Sequence, residues 1–342
     1  MTELPSLPTG VATGIGSMPG EDQSQLAEAT RTVLGELPDF PHLPELPGRS
    51  AAASMTGRAS ALLVDLAVDL QPAGWRLADA PGLDQRRAVS LLNQDLDTLE
   101  ELAQGYTGPM KVQVAGPWTL AATLERPRGD KVLADHGARR EVAQSMAEGV
   151  TNHLRDLRRR LPDVQPVLQI DEPSLPAVLA ARVPTASGFG RHRFVDVPEA
   201  VEVLRWWVDV SDAARTPAVL HCCAPQAPLE VAAKAGFRAV AVDAALLGET
   251  EYDSYAEALD GGIDVWLGIL AAEETVPAGA LADRVRRLAP RLGLEPERVA
   301  ERVVLTPTCG LAGASPAGAR QVLQRVRDAA RQVSVGQARM DP

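Results

Sequence analysis

The chain has 342 residues, 45% of them hydrophobic, and a formal net charge of -11. That is enough apolar material for one large core or two ordinary ones. The acidic balance argues against a nucleic-acid or anionic-membrane partner, since either needs a basic face. No apolar run reaches the length of a membrane span, and the opening MTELPSLPTG lacks the basic and apolar regions of a secretory signal. Three cysteines, two of them adjacent, make a poor disulfide framework, so the expected location is a reducing cytoplasm.

Short β-rich apolar runs alternate with longer amphipathic segments along the chain. Strands are expected at 12–18, 42–46, 110–115, 167–171, 218–223, 239–244, 265–270 and 303–306. Helices are expected between and after them, at 21–35, 50–68, 85–103, 137–160, 198–214, 229–235, 280–289 and 316–333. Eight strand–helix units in this length predict an α/β fold, a single (βα)₈ TIM barrel covering 1–342, with a doubly wound open sheet as the alternative. The run GIGSMPG after the first strand has glycines, but not at the spacing of a dinucleotide fingerprint. Segments 161–166 and 184–191 read as loops inside one domain.

A barrel places its functional groups at the C-terminal ends of its strands. Gly16-Ser17, Glu45, Gly116-Pro117-Trp118, Asp171-Glu172, His221-Cys222-Cys223, Asp243 and Cys309 all fall there. Polar groups closing apolar strands are costly unless something uses them. Residues two apart in a strand share a face, so His221 and Cys223 point to the barrel mouth and Cys222 away from it. Together with Cys309 they offer an imidazole and two soft sulfurs, a set suited to zinc, with Asp243 as the expected fourth ligand. A zinc ion of this kind makes a substrate thiol nucleophilic near neutral pH. The plainer alternative makes the cysteines small buried hydrophobes and His221 a core histidine. Asp171-Glu172-Pro173 reads either as a helix N-cap or, at Asp171, as a seat for an ammonium group. Ser17, with the backbone amides around Gly16, reads as a carboxylate holder or as an ordinary turn.

Several motifs in order resemble the C-terminal catalytic barrel of cobalamin-independent methionine synthase. They are GIGSMP (14–19), GPWTL (116–120), LQIDEPSL (168–175), LHCC (220–223) and TPTCGL (306–311). The resemblance implies that His221, Cys223 and Cys309 bind zinc, that Ser17 holds the carboxylate of a homocysteine-like thiol, and that Asp171 and Glu45 hold its amine. It implies a methyl transfer giving methionine. Three departures bear on this. Asp243 stands where the family has a glutamate ligand; Glu273 or Glu274 in GILAAEE stands in place of a catalytic histidine; and Ala121-Ala122-Thr123 stands where a folate-stacking tryptophan is expected. The N-terminal half of the long folate-dependent enzymes has no counterpart. A methylcorrinoid, free methylcobalamin or one carried on a corrinoid protein, is therefore an expected alternative donor to methyl-tetrahydrofolate. Other readings are zinc-dependent alkyl transfer to a different thiol, a zinc- or corrinoid-binding protein without synthase activity, and a decarboxylase resembling uroporphyrinogen decarboxylase. The last needs basic residues for a polyacidic substrate and no zinc.

Overall fold

The computed structural model describes residues 2–295 and 298–338. Its strands are β1 (Ala67–Gln71), β2 (Gly74–Ala78), β3 (Pro109–Ala115), β4 (Gln165–Asp171), β5 (Ala218–Cys222), β6 (Ala239–Asp243), β7 (Asp264–Leu270) and β8 (Val303–Pro307). β3 to β8 form a six-stranded parallel sheet whose spatial order is the chain order. A doubly wound sheet reverses direction partway across, and this one does not. Among the described residues no helix is long and apolar enough to cross a membrane.

The first two expected strands are corrected: 12–18 and 42–46 form no regular ladder. Among the described residues isolated parallel bridges hold them: Ala12 to Leu305 and His42 to Lys111 tie them to the sheet, and Ser17 to Glu45 ties them to each other. The bonds around these bridges are ordinary. Thr13 N donates to Leu305 O at 3.0 Å, Met18 N to Glu45 O at 2.8 Å and Leu43 N to Lys111 O at 2.9 Å. Composition explains why no ladder extends further. Pro44 removes a donor from within the second segment and Pro41 and Pro47 bracket it, and Gly14 and Gly16 weaken the first.

The expected helix at 50–68 is also corrected. A short helix, Met55–Leu62, is followed by the antiparallel hairpin β1–β2, in which Asp69 is the register partner of Arg76. Their side chains form an ion pair at 2.7 Å. The remaining helices fall close to expectation, including Gln23–Glu36, Leu83–Leu102, His136–Arg160, Val197–Ala213 and Pro316–Ala338.

Alternation along each strand separates two cores. Leu168, Ile170, Leu220, Val240, Val242, Leu267 and Leu305 face the helices in the larger one. Val167, Val219, Ala239, Ala241, Trp266 and Val304 join Val11 and Phe40 in a second cluster on the opposite, concave face of the curled sheet. There the Phe40 and Trp266 rings meet edge to face, 5.5 Å between centroids. This apolar plug fills the concave side at the N-terminal ends of the strands, so the polar residues that follow on that face sit toward the C-terminal ends.

His153, on the helix His136–Arg160, is buried. Burial and the nearby Arg58 push its imidazole down to about 4. The unfolded chain takes up this proton near pH 6.5, before the folded chain does, so stability is intact above that pH and is lost as pH falls toward 4. His153→Leu is expected to flatten this acid slope by about 3 kcal/mol at most. Chemical denaturation of both proteins at neutral and acidic pH checks it.

Candidate active site

His221 is the last but one residue of β5, on its concave side, and Cys223 follows two residues on. Cys309 arrives from the loop after β8. The ligand atoms of these three residues all lie within 4.8 Å of one another. The Cys223 and Cys309 sulfurs are 3.1 Å apart, well beyond a disulfide bond of about 2.05 Å. The contact between them, with the neighbouring His221, holds the Cys309 thiol down, while the same contact pushes Cys223 up. His221 Nδ1 lies 3.2 Å from the carbonyl oxygen of Ala241. Donation to that oxygen leaves Nε2 as the ring's free lone pair, the arrangement that orients a metal-binding imidazole. Cys222 is fully buried on the other face, and burial pushes its thiol up to about 12. The two soft sulfurs and the oriented imidazole fit zinc.

Asp243 stands apart from this trio. It ends β6 and accepts a hydrogen bond from Ala245 N at 2.8 Å, capping a short 3₁₀ turn. Burial raises its carboxyl, the neighbouring Cys309 and Glu274 add to the rise, and His221 opposes it. Asp243 also borders an open cleft of about 640 Å³, together with Thr308, Gly268, Glu273, Glu274 and Arg284. Glu273 is exposed on the lip of that cleft. Glu274 Oε2 instead accepts from Ala271 N at 3.2 Å and faces Arg284 at 3.6 Å.

Asp171 ends β4 and is the register partner of His221. It is buried, and burial pushes its carboxyl up to about 7. Gln169 Nε2 donates to its Oδ1 at 2.7 Å. With Glu45, Arg58, Gln113 and His153 it lines a cavity of about 10 Å³, room for roughly one water-sized group. Glu45 accepts from Gln113 Nε2 at 2.8 Å and pairs with Arg58 Nε at 3.2 Å. Arg58 and Arg49 both pair with the buried Asp95, so internal carboxylates already engage both arginines.

The neighbouring acid has a different setting. Glu172 is fully buried, and its Oε1 accepts from Trp118 N at 2.9 Å. Its Oε2 accepts from Thr119 N and Thr119 Oγ1, both at 2.7 Å. It caps the first turn of the helix Pro117–Thr123, which follows β3 and not its own strand. Burial pushes Glu172 up to about 8 against the pull of these donors. A Cβ at Gly116 would lie 2.3 Å from Glu172 Oε1, so the GPWT and DEP segments are built to fit each other. Ser17 is placed similarly: Leu311 N donates to its carbonyl oxygen at 2.8 Å. A Cβ at Gly310 would lie 2.0 Å from its hydroxyl. Ser17 thus packs against the residue that follows Cys309.

Sequence reasoning missed Lys111, Gln113 and Gln169. All three are buried on the concave side of β3 and β4. The signal was polar residues at alternate positions of otherwise apolar strands.

The fold and site define an α/β protein that carries a thiol–imidazole cluster and, next to it, a small pocket bordered by Asp171, Glu45 and Arg58. Residues 7–332 match the family described as "Cobalamin-independent synthase, Catalytic domain", and the chain belongs to that family. It is a methionine-synthase-like catalytic domain. A B12-independent methionine synthase from Shewanella sp. W3-18-1, solved with selenomethionine, is 12% identical. That match covers 97% of this chain and all of the other, with a TM-score of 0.63, and it speaks for the fold. Methylaspartate ammonia lyase from Clostridium tetanomorphum, at 12% identity, aligns with 98% of this chain and 61% of its own. Its TM-score is 0.49. No curated protein matches the sequence. The family is described as cobalamin-independent, so the methylcorrinoid expectation gains no support from it.

Proposed function

We propose that this chain is a zinc-dependent methyltransferase that passes a methyl group to the thiol of homocysteine or a similar amino-acid thiol, giving methionine. The observation that carries this reading is the meeting of His221, Cys223 and Cys309 near a water-sized cavity bordered by the carboxylates of Asp171 and Glu45, with Asp171 and His221 in register on adjacent strands. The cavity suits an α-ammonium head, which is close to a water molecule in size. Asp171 and Glu45 hold the amine, and Ser17 with the amides near Gly16 holds the carboxylate. His221, Cys223 and Cys309 hold zinc, with Asp243 turning in as fourth ligand. When bound, zinc supplies deprotonation of the substrate thiol while keeping its sulfur nucleophilic. Fixing both ends of the amino acid orients that sulfur and removes several kcal/mol of the barrier. Glu273, on the cleft beside Asp243, handles a proton on the leaving group. The whole chain, 1–342, acts as one (βα)₈ barrel, its ring completed by the bridged segments at 12–18 and 42–46. Chemistry that depends on free thiols suits the cytoplasm.

A second reading, alkyl transfer to a thiol that is not an amino acid, draws on one observation. Glu45 is already paired with Arg58, which lowers the net negative charge offered to an amine.

Metal analysis of the purified protein is expected to give close to one zinc per chain. Zinc-loaded protein is expected to form methionine from homocysteine with methyl-tetrahydrofolate or with methylcobalamin, and comparing the two identifies the donor. A protein that cannot be loaded with zinc overturns the reading. Zinc-loaded protein that makes no methionine from either donor moves it to the second reading or to a binding role.

Gly310→Ala is expected to turn the Ser17 hydroxyl aside. The KM for homocysteine should rise by about tenfold, the worth of one strong hydrogen bond. Zinc content should stay unchanged, as steady-state kinetics and metal analysis of the variant will report.

A further inference from the structure

Below the two proposed amine-holding carboxylates lies a layer of buried polar side chains. Gln113 on β3 and Gln169 on β4 are register partners, one inward-facing step before the pair Ala115 and Asp171. Lys111 sits one inward-facing step earlier on β3 and is completely buried. Its hydrogen-bond acceptors are neutral: Nζ donates to Ile15 O at 2.8 Å and to Gln169 Oε1. Burying an ammonium against neutral groups is expensive: burial pushes Lys111 down to about 7, and the charges of Asp171 and Glu45 oppose that fall. In its ammonium form Lys111 can only donate, and Gln169 turns its oxygen toward Lys111 and its nitrogen away. That nitrogen donates to Ile15 O at 2.9 Å and to Asp171 Oδ1 at 2.7 Å. The lysine thereby sets the polarity of the amide, and the amide fixes one oxygen of Asp171. Gln113 does the same for Glu45, with its second hydrogen donated to Leu43 O at 2.7 Å.

We propose that Lys111 and Gln169 are positioning residues for amine recognition, holding Asp171 by Oδ1 so that its second oxygen is presented to the ammonium group of the amino-acid substrate. The proposal rests on the reading of Asp171 as an amine-holding group. Lys111 lends positive charge that keeps two close carboxylates compatible, without standing between them and the ligand.

L-Methionine and γ-(methylthio)butyrate differ only in the α-amino group, so titrating the protein calorimetrically with each isolates the amine and needs no bound metal. Wild type is expected to prefer methionine. Lys111→Met and Gln169→Met are each expected to cut that preference by about tenfold or more. Affinity for γ-(methylthio)butyrate should stay within about twofold, whereas loss of a merely structural residue weakens both ligands alike. If both ligands weaken equally, or the preference survives in the variants, the proposal is overturned and the reading of Asp171 stands. If wild type shows no preference, that reading falls and the proposal with it. Gln169→Met leaves Lys111 in place and keeps the side chain's length, so it decides the matter should Lys111→Met fail to fold.

Discussion

Replacing Cys309 by serine is expected to strip the chain of zinc and of methyl transfer together, while the fold persists. Cys309 stands on an exposed loop after β8 and contributes little to either apolar core. Its sulfur lies 3.1 Å from that of Cys223 and belongs to the trio whose ligand atoms share one 4.8 Å neighbourhood. Losing even a group that supports a ligand from outside costs roughly 10–100-fold in metal affinity, so losing a ligand itself should cost more than about 100-fold. Activity should fall with metal content, because a free thiol with pKa near ~8.5 is mostly protonated at neutral pH. Cys222→Ala is the matched control. It removes a neighbouring sulfur that is buried on the opposite face of the strand, and it should leave zinc content and rate unchanged. Metal analysis beside turnover for both variants checks the pair. A Cys309→Ser protein that keeps its zinc would mean that the trio is not the metal centre.

Period-two alternation made much of this site legible in advance. In a strand it fixes which of His221, Cys222 and Cys223 share a face, and the concave placement of His221 and the opposite burial of Cys222 follow from that rule alone. β3 to β8 were equally readable, because parallel strands covered on both faces are apolar nearly throughout. The first two segments were harder. Their prolines and glycines leave single bridges where ladders were expected, and no pattern within the segment reports how few donors remain. The hairpin β1–β2 was readable and missed: VDLQ and WRLA carry alternating apolar residues around a Pro-Ala-Gly turn. The role of Glu172 was not readable, since the amides it caps lie on a helix more than fifty positions away. Sequence suggested that this acid pair caps a helix; it did not say that the capped helix follows a different strand. Asp243 lies between these cases: its place at the end of β6 was visible, but its bond to Ala245 N is a matter of side-chain direction.

Adjacent in sequence, Asp171 and Glu172 are expected to fail in opposite ways when replaced. Glu172→Ala leaves two buried amides of the Pro117–Thr123 helix and the Thr119 hydroxyl without their acceptor. The hydroxyl is also tied to the next loop, accepting from Ser174 N at 3.3 Å. Leaving buried donors unsatisfied costs about 1–3 kcal/mol each; with partial relaxation, the loss of stability should be about 3–5 kcal/mol, a size reserved for broken buried networks. Asp171→Asn removes no such scaffold. The asparagine oxygen still accepts from Gln169 Nε2, because that amide is held in orientation from the Lys111 side. Its nitrogen must then point where the second carboxylate oxygen stood, offering a donor to a substrate group that itself only donates. Stability should therefore change little, while kcat/KM for homocysteine falls by about 100-fold, the cost of a lost charge-assisted contact and of an opposed donor. Urea denaturation and steady-state kinetics on the two variants measure both quantities. If Asp171→Asn proves as destabilising as Glu172→Ala and binds methionine normally, the acid at the end of β4 is part of the scaffold, and amine recognition lies elsewhere in the pocket.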